Sequence, residues 1–279
     1  MQPGLPFYVP SSPLQYARTG FEKIPQNLTR TELFQYFTFS PEDRQEILQF
    51  MQAVLSGKVQ NGSNISNSEA LSFFSWDLVP KEAAKVYEKL EQIMQLRFPS
   101  PRATQIVPED LFAQQEHFAL LSCLRKGPFG VDALNQMFAA YFLHKKREGE
   151  ELAMPILITR SDEKQDLYNG EVGFLIRSSC IEKEYAIFKS KPGVRVAARN
   201  LPVYEYAYAL SVHKSQGSEY DEVLLLIPPG SDQLGREVIY TGASRAKKRL
   251  QIAGSETVLK SALLRASRKI SALHARLTV

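Results

Sequence analysis

AYALSVHKSQGSEYDEVLLLIP, residues 207–228, sets a dense polar knot from His213 to Glu219 between two apolar segments. The flanking runs YAYALSV and EVLLLIP are apolar on both faces, the pattern of strands inside a parallel sheet. In open α/β sheets, ligands bind where strands end, because backbone amides and loop side chains converge there. Ser211, His213, Lys214 and Ser215 offer donors suited to phosphate. Gly217 permits close backbone approach, and Glu219 offers an acceptor suited to a ribose hydroxyl. The plainer alternative is a crossover loop that only caps a strand. The density of functional side chains weighs against it.

YTGASRAKKRL, residues 240–250, adds a second cluster. Arg245 opens a basic run, where an arginine stabilises charge on a transferring phosphoryl group. Lys247, Lys248 and Arg249 read as a solvated or nucleic-acid-facing surface. The spacing predicts one helix over QLGREVIYTGASRAKKRL (233–250), weakened at Gly242, and an edge strand at LQIAGS (250–255). A final helix begins at residue 255 with Ser255 as its cap.

Upstream, residues 1–30 are rich in Pro, Ser and Gln and read as an irregular arm. SPEDRQEILQFMQAVLSGK (40–58) is a predicted helix, with Ser40 as cap, Pro41 in the first turn and Gly57 at the end. Its Ile47, Phe50, Met51 and Val54 recur at helical spacing. SFFSWDLVP (72–80) reads as a strand, and residues 80–98 as a helix. Residues 107–127 read as a helix passing into a strand at FALLSCL, and 127–147 as a turn and an amphipathic helix. From Met154 the texture turns to short apolar runs, MPILITR, GEVGFLIRS, KEYAIFK and VRVAAR, separated by turn-type segments. These predict a small barrel set into a larger unit.

At 279 residues, with 44% hydrophobic and 23% charged residues, the chain has room for one large domain or two. No apolar run reaches the roughly 18 residues of a membrane span, and the first residues lack a secretion signal. Cys123 and Cys180 are the only cysteines and have no metal-ligand spacing, so a reduced, cytoplasmic protein without a metal site is expected. The net charge of +4 is uneven. Residues 245–279 carry nine Lys/Arg against one acid, Glu256, leaving 25 against 29 elsewhere. A basic tail on a slightly acidic body points to a polyanionic partner or, more plainly, to a solvated helical face.

With both clusters in view, the chain resembles the RecD-like superfamily 1 DNA helicases. ALSVHKSQGSEYDEVLLLIP is similar to their motif V and REVIYTGASRAKKRL to their motif VI. LLSCLRKGPFGVDALNQ and PILITRSDEKQDLYNGEVG are similar to the segments before and within their small inserted domain. The resemblance runs from about residue 30 to the end. It implies an α/β fold: a second RecA-like helicase domain, a parallel sheet flanked by helices (31–152 and 205–279), interrupted by an SH3-like β-barrel (153–204). By that likeness Ser211, His213, Lys214 and Ser215 lie at the DNA, and Gln216, Gly217 and Glu219 at the nucleotide. Arg245 is the arginine finger, catalytic and nucleotide-binding. Asn169 and Gly170 only shape a tight turn.

The sequence also departs from that family. A helicase motor needs G-x-x-x-x-G-K-[ST] to cradle phosphates, and no stretch here fits it. Asp221-Glu222 follows motif V instead of ending an earlier strand as a magnesium-binding pair does. In LFQYFTF (33–39), Thr38 stands where the family places a phosphate-sensing arginine. ATP with magnesium is therefore expected only if a partner supplies the P-loop domain, with no activity from this chain alone. The expected partners are DNA, chiefly single-stranded, and a P-loop-bearing helicase half or other exonuclease V subunits. A DNA-binding or regulatory module without catalysis, and a degenerate remnant, are the competing readings.

Overall fold

The computed structural model describes residues 41–58, 65, 68, 70–76, 78, 80–97, 102–103, 106–146, 150–178 and 184–265. The expectations for the arm at 1–30, Thr38, Ser40, Cys180 and the basic tail beyond 265 lie outside the described residues. In chain order the elements are α1 (Pro41–Leu55), β1 (Leu71–Ser75), α2 (Ala83–Arg97), β2 (Arg102–Ala103), α3 (Pro108–His117), β3 (Phe118–Ser122), α4 (Val131–His144), β4 (Glu151–Ile158), β5 (Val172–Arg177), β6 (Tyr185–Phe188), β7 (Val196–Ala197), β8 (Tyr204–Tyr206), β9 (Ala209–Ser211), β10 (Tyr220–Ile227), α5 (Arg236–Ala243), β11 (Ala246–Gly254) and α6 (Glu256–Leu264).

The apolar runs around the knot become strands of a five-stranded sheet, ordered β1-β11-β10-β3-β9 and parallel throughout. Successive side chains alternate between its faces. Leu224 and Leu226 face one core with Leu90, Ile93, Leu134, Phe138 and Phe142 of α2 and α4. Val223, Leu225 and Ile227 face the other, with Ile47 and Val54 of α1, Ile239 of α5 and Leu259 of α6. Each such fully buried Leu, Ile or Phe contributes about 1.5–3 kcal/mol, so double-sided burial is what holds β10 at the centre. The apolar stripe expected of α1 is realised, with Ile47 and Val54 fully buried and Gly57 leaving the helix at φ +72°.

β4 to β6, where the short apolar runs predicted strands of a small barrel, lie in an antiparallel sheet. Its ladder runs β2-β4-β5-β6-β7, with β8 beside β4. Among the described residues no pairing joins β7 back to β8 or β2. The sheet is not insulated from its neighbour: Met154, Phe174 and Ile176 share a core with α2 and α4, while Ile156, Leu175 and Phe188 form a core of their own. Among the described residues no helix is long and apolar enough to cross a membrane.

Three sequence expectations are corrected. The helix expected over 233–250 stops at Ala243, and the remainder becomes β11. β11 is not an edge strand: it lies between β1 and β10, with Leu250, Ile252 and Ala253 fully buried. The strong helix formers of RAKKRL are overridden because the sheet needs a strand against β10, a tertiary demand that local propensity does not register. The single strand expected over YAYALSV is two, β8 in the antiparallel sheet and β9 in the parallel one. Gly242, the expected weak point, lets α5 approach β10 closely: a Cβ there would lie 2.9 Å from both methyls of Leu225. Ser255 does cap α6, its Oγ accepting from the Val258 N–H at 3.3 Å.

Candidate functional site

The polar knot folds on its own hydrogen bonds. After Ser211 the chain winds through a helical turn, with the Ser215 N–H donating to the Ser211 carbonyl at 3.1 Å and the Gln216 N–H to the His213 carbonyl at 3.2 Å. The Lys214 N–H donates to Ser211 Oγ at 3.3 Å. Gly217, at φ +89°, takes the left-handed conformation that ends the turn. His213, Lys214, Gln216 and Glu219 are exposed and Ser211 is half-buried. Ser215 differs from the surface donor expected of it. It is fully buried, and its hydroxyl donates to the Val212 carbonyl at 2.8 Å, so it braces the turn.

Parallel strands fix where the knot goes. It leaves the carboxyl end of β9 and has to enter β10 at its amino end, a crossing made by residues 212–219. Ser211 therefore sits at the carboxyl edge, level with Ser122, while Glu219 sits at the amino edge. Only the first part of the knot thus stands at the carboxyl ends of the strands.

Arg245 lies at the amino edge too, immediately before β11. Its carbonyl accepts from the Tyr220 N–H at 2.8 Å. Its guanidinium reaches the knot, with Nη1 donating to the Ser218 carbonyl at 3.2 Å. Nη2 donates to Ser244 Oγ at 2.7 Å and Nε to the Thr241 carbonyl at 3.2 Å. The two clusters that are separate in sequence thus meet through one arginine.

The remaining cations differ from a free basic face. Lys248 Nζ contacts Asp221 Oδ2 at 2.9 Å and Lys247 Nζ lies 3.8 Å from Oδ1, while Arg249 is buried. His117 Nδ1, at the end of α3, lies 2.9 Å from the same Asp221 Oδ2. Asp221 of β10 thus ties β11 and α3 together at the amino edge. Burial raises the Asp221 pKa, but hydrogen bonds from Lys248 and His117 outweigh it and hold the carboxyl below its ordinary 3.8. Its folded pKa is depressed, so its stabilisation is present above 3.8 and is lost as the pH falls below that value. Asp221→Asn is expected to lower Tm by about 2–4 °C at pH 7 and to converge on the parent in acid, as read by thermal melts across pH. Burial also pushes the Cys123 thiol up to about 12, which removes it as a nucleophile. Among the described residues no group of three His, Cys, Asp or Glu is placed to hold a metal.

Sequence reading missed three positioning groups. Asn135 of α4 is buried; its Nδ2 donates to the Ala209 carbonyl at 3.1 Å and its Oδ1 accepts the Ala209 N–H at 2.8 Å. It thereby pairs the open side of edge strand β9 just before the knot. A polar residue standing on the apolar stripe of Leu134, Phe138 and Phe142 was the available signal. Glu205 of β8 and Arg125, after β3, are the others. Arg125 Nη2 meets Glu205 Oε2 at 2.8 Å, and Lys214 Nζ meets Glu205 Oε1. No local pattern marks that pair.

A parallel sheet covered by helices on both faces, with this knot and arginine at its edges, defines an α/β domain. Residues 206–253, from the end of β8 into β11, match the UvrD-like helicase C-terminal domain. The C-terminal half of the chain is similar to RecD proteins. RecBCD enzyme subunit RecD of Haemophilus influenzae is 30% identical over 172 residues, covering 59% of this chain and 26% of that protein. RecD of Mycolicibacterium smegmatis is 34% identical over 176 residues, 61% of this chain and 30% of that one. The ATP-dependent RecD2 DNA helicase of Deinococcus radiodurans is 30% identical over 153 residues, 52% of this chain and 21% of that one. The chain spans less than a third of the length of each of these relatives. A solved Pif1 helicase from Bacteroides superposes loosely, with a TM-score of 0.42 at 10% identity over 84% of this chain and 54% of that one.

Proposed function

We propose that this chain supplies the second RecA-like motor domain of a RecD-like, ATP-dependent DNA helicase acting in recombination and repair. Residues 31–152 and 205–279 form that domain, with 153–204 an SH3-like barrel inserted in it. One observation carries the reading: Arg245 and the knot, distant in sequence, are joined by the contact of Nη1 with the Ser218 carbonyl. One face thereby holds an arginine beside Gln216, Gly217 and Glu219, the groups suited to nucleotide sugar and phosphates. A phosphoryl oxygen is a stronger acceptor for a guanidinium than the neutral carbonyls and hydroxyl it now engages. The exposed His213 and Lys214, with Ser211, face single-stranded DNA; Ser215 holds their turn in shape.

Phosphoryl transfer needs positioning and magnesium from one side and charge stabilisation from the other. Residues of this chain supply the second. ATP and magnesium would be held chiefly by a partner bearing a P-loop, a helicase half or another exonuclease V subunit. The purified 279-residue chain is expected to release no phosphate from ATP above background, with or without single strands. Turnover that Arg245→Ala abolishes would overturn the division of labour.

A further inference from the structure

Glu205 stands where a ligand belongs. Arg125 follows the carboxyl end of β3 and Lys214 the carboxyl end of β9, and these strands are neighbours with Ser122 level with Ser211. Carboxyl ends of adjacent parallel strands are where open α/β sheets take their ligands. The two cations converge on the two oxygens of one carboxylate, Arg125 Nη2 on Oε2 at 2.8 Å and Lys214 Nζ on Oε1. That acid comes from the other sheet: Glu205 lies on β8, opposite Leu157 of β4. Two cations gripping two oxygens of one anion is also the arrangement that binds a phosphate.

We propose that Arg125 and Lys214 form a single site for a phosphate oxyanion and that Glu205 is its built-in competitor, occupying the site until a phosphate displaces it. The inference rests on the reading above in taking that phosphate from a single strand. The clasp is open to exchange, because the Arg125 and Lys214 side chains are 54% and 30% exposed. Solvent-exposed pairs of this kind are weak and salt-sensitive, so a polyanion can displace the carboxylate. Arg125 keeps a second acid, Asp132 Oδ1 at 3.3 Å from Nε, which orients the guanidinium whether or not Glu205 is present. Displacement also frees β8 from the knot, so phosphate binding is linked to the antiparallel sheet.

The test is fluorescence anisotropy of a labelled oligothymidylate with the parent chain, Glu205→Gln, Arg125→Ala and the Glu205→Gln/Lys214→Ala double variant. Thermal melts with and without inorganic phosphate accompany it. Glu205→Gln is expected to bind the oligonucleotide about three- to tenfold more tightly, with a log–log salt slope steeper by about 0.7 for each added phosphate contact. Arg125→Ala is expected to bind more weakly than the parent, and the double variant to lose the gain. Equal or weaker binding by a Glu205→Gln chain that melts like the parent overturns the competitor while leaving single-strand binding intact. If no variant binds the oligonucleotide, the single-strand reading fails. In that case phosphate that raises the melting temperature of Glu205→Gln above the parent's response supports a site for free phosphate, and no such rise overturns the site as well.

Discussion

Arg245→Ala is expected to lower ATP turnover of the assembled motor by about 10³-fold or more, the scale of an arginine that stabilises a transferring phosphoryl group. The assembly to assay is the tagged chain isolated with a P-loop-bearing partner from its own host. Phosphate release under saturating ATP and single-stranded DNA is the readout. Arg245→Lys is expected to recover little, because an ammonium cannot reproduce the planar fork that now spans Ser244, Thr241 and Ser218. The same contacts supply the control. Losing a guanidinium's hydrogen bonds to neutral acceptors at a part-buried site costs about 1.5–3 kcal/mol, a fraction of a domain's stability, so both variants should fold and associate normally. A variant complex that retains a tenth or more of parental turnover would remove Arg245 from the reaction.

Asn135→Leu is expected to destabilise the fold by about 2–5 kcal/mol, because it strands both the N–H and the carbonyl of Ala209 in a buried setting. Denaturant unfolding would measure this. Asn135→Asp should be no better: it keeps the acceptor for the Ala209 N–H, loses the donor to the carbonyl, and adds a charge to a site only 6% exposed. The damage should spread to the knot, since Ala209 lies just before Ser211. Amide hydrogen exchange at 212–216 is therefore expected to accelerate more than exchange in β10. A loss under about 1 kcal/mol, or exchange unchanged at the knot, would show that β9 holds its place without this amide.

Much of the architecture was legible in the residues because burial leaves a period. Ile47, Phe50, Met51 and Val54 marked α1, the unbroken apolar run at 223–227 marked a strand covered on both faces, and FALLSCL marked the passage from α3 into β3. RAKKRL was not legible: its residues favour helix, and only the vacancy between β1 and β10 makes it a strand. Nor could the sequence say that Ser215 faces inward. Serine suits a solvent-facing donor and a turn brace equally, and the 2.8 Å contact with the Val212 carbonyl decides between them.

By itself the sequence determined the knot, the arginine-bearing cluster and their likeness to helicase motifs, because side-chain chemistry and local order are written residue by residue. The tertiary structure alone decided that Arg245 rests on Ser218, that Asn135 secures β9, and that Glu205 fills the clasp of Arg125 and Lys214. Those contacts join residues from 9 to 80 positions apart. Where they meet depends on the order β1-β11-β10-β3-β9 and on the return of the chain from one sheet to the other, which no local pattern carries.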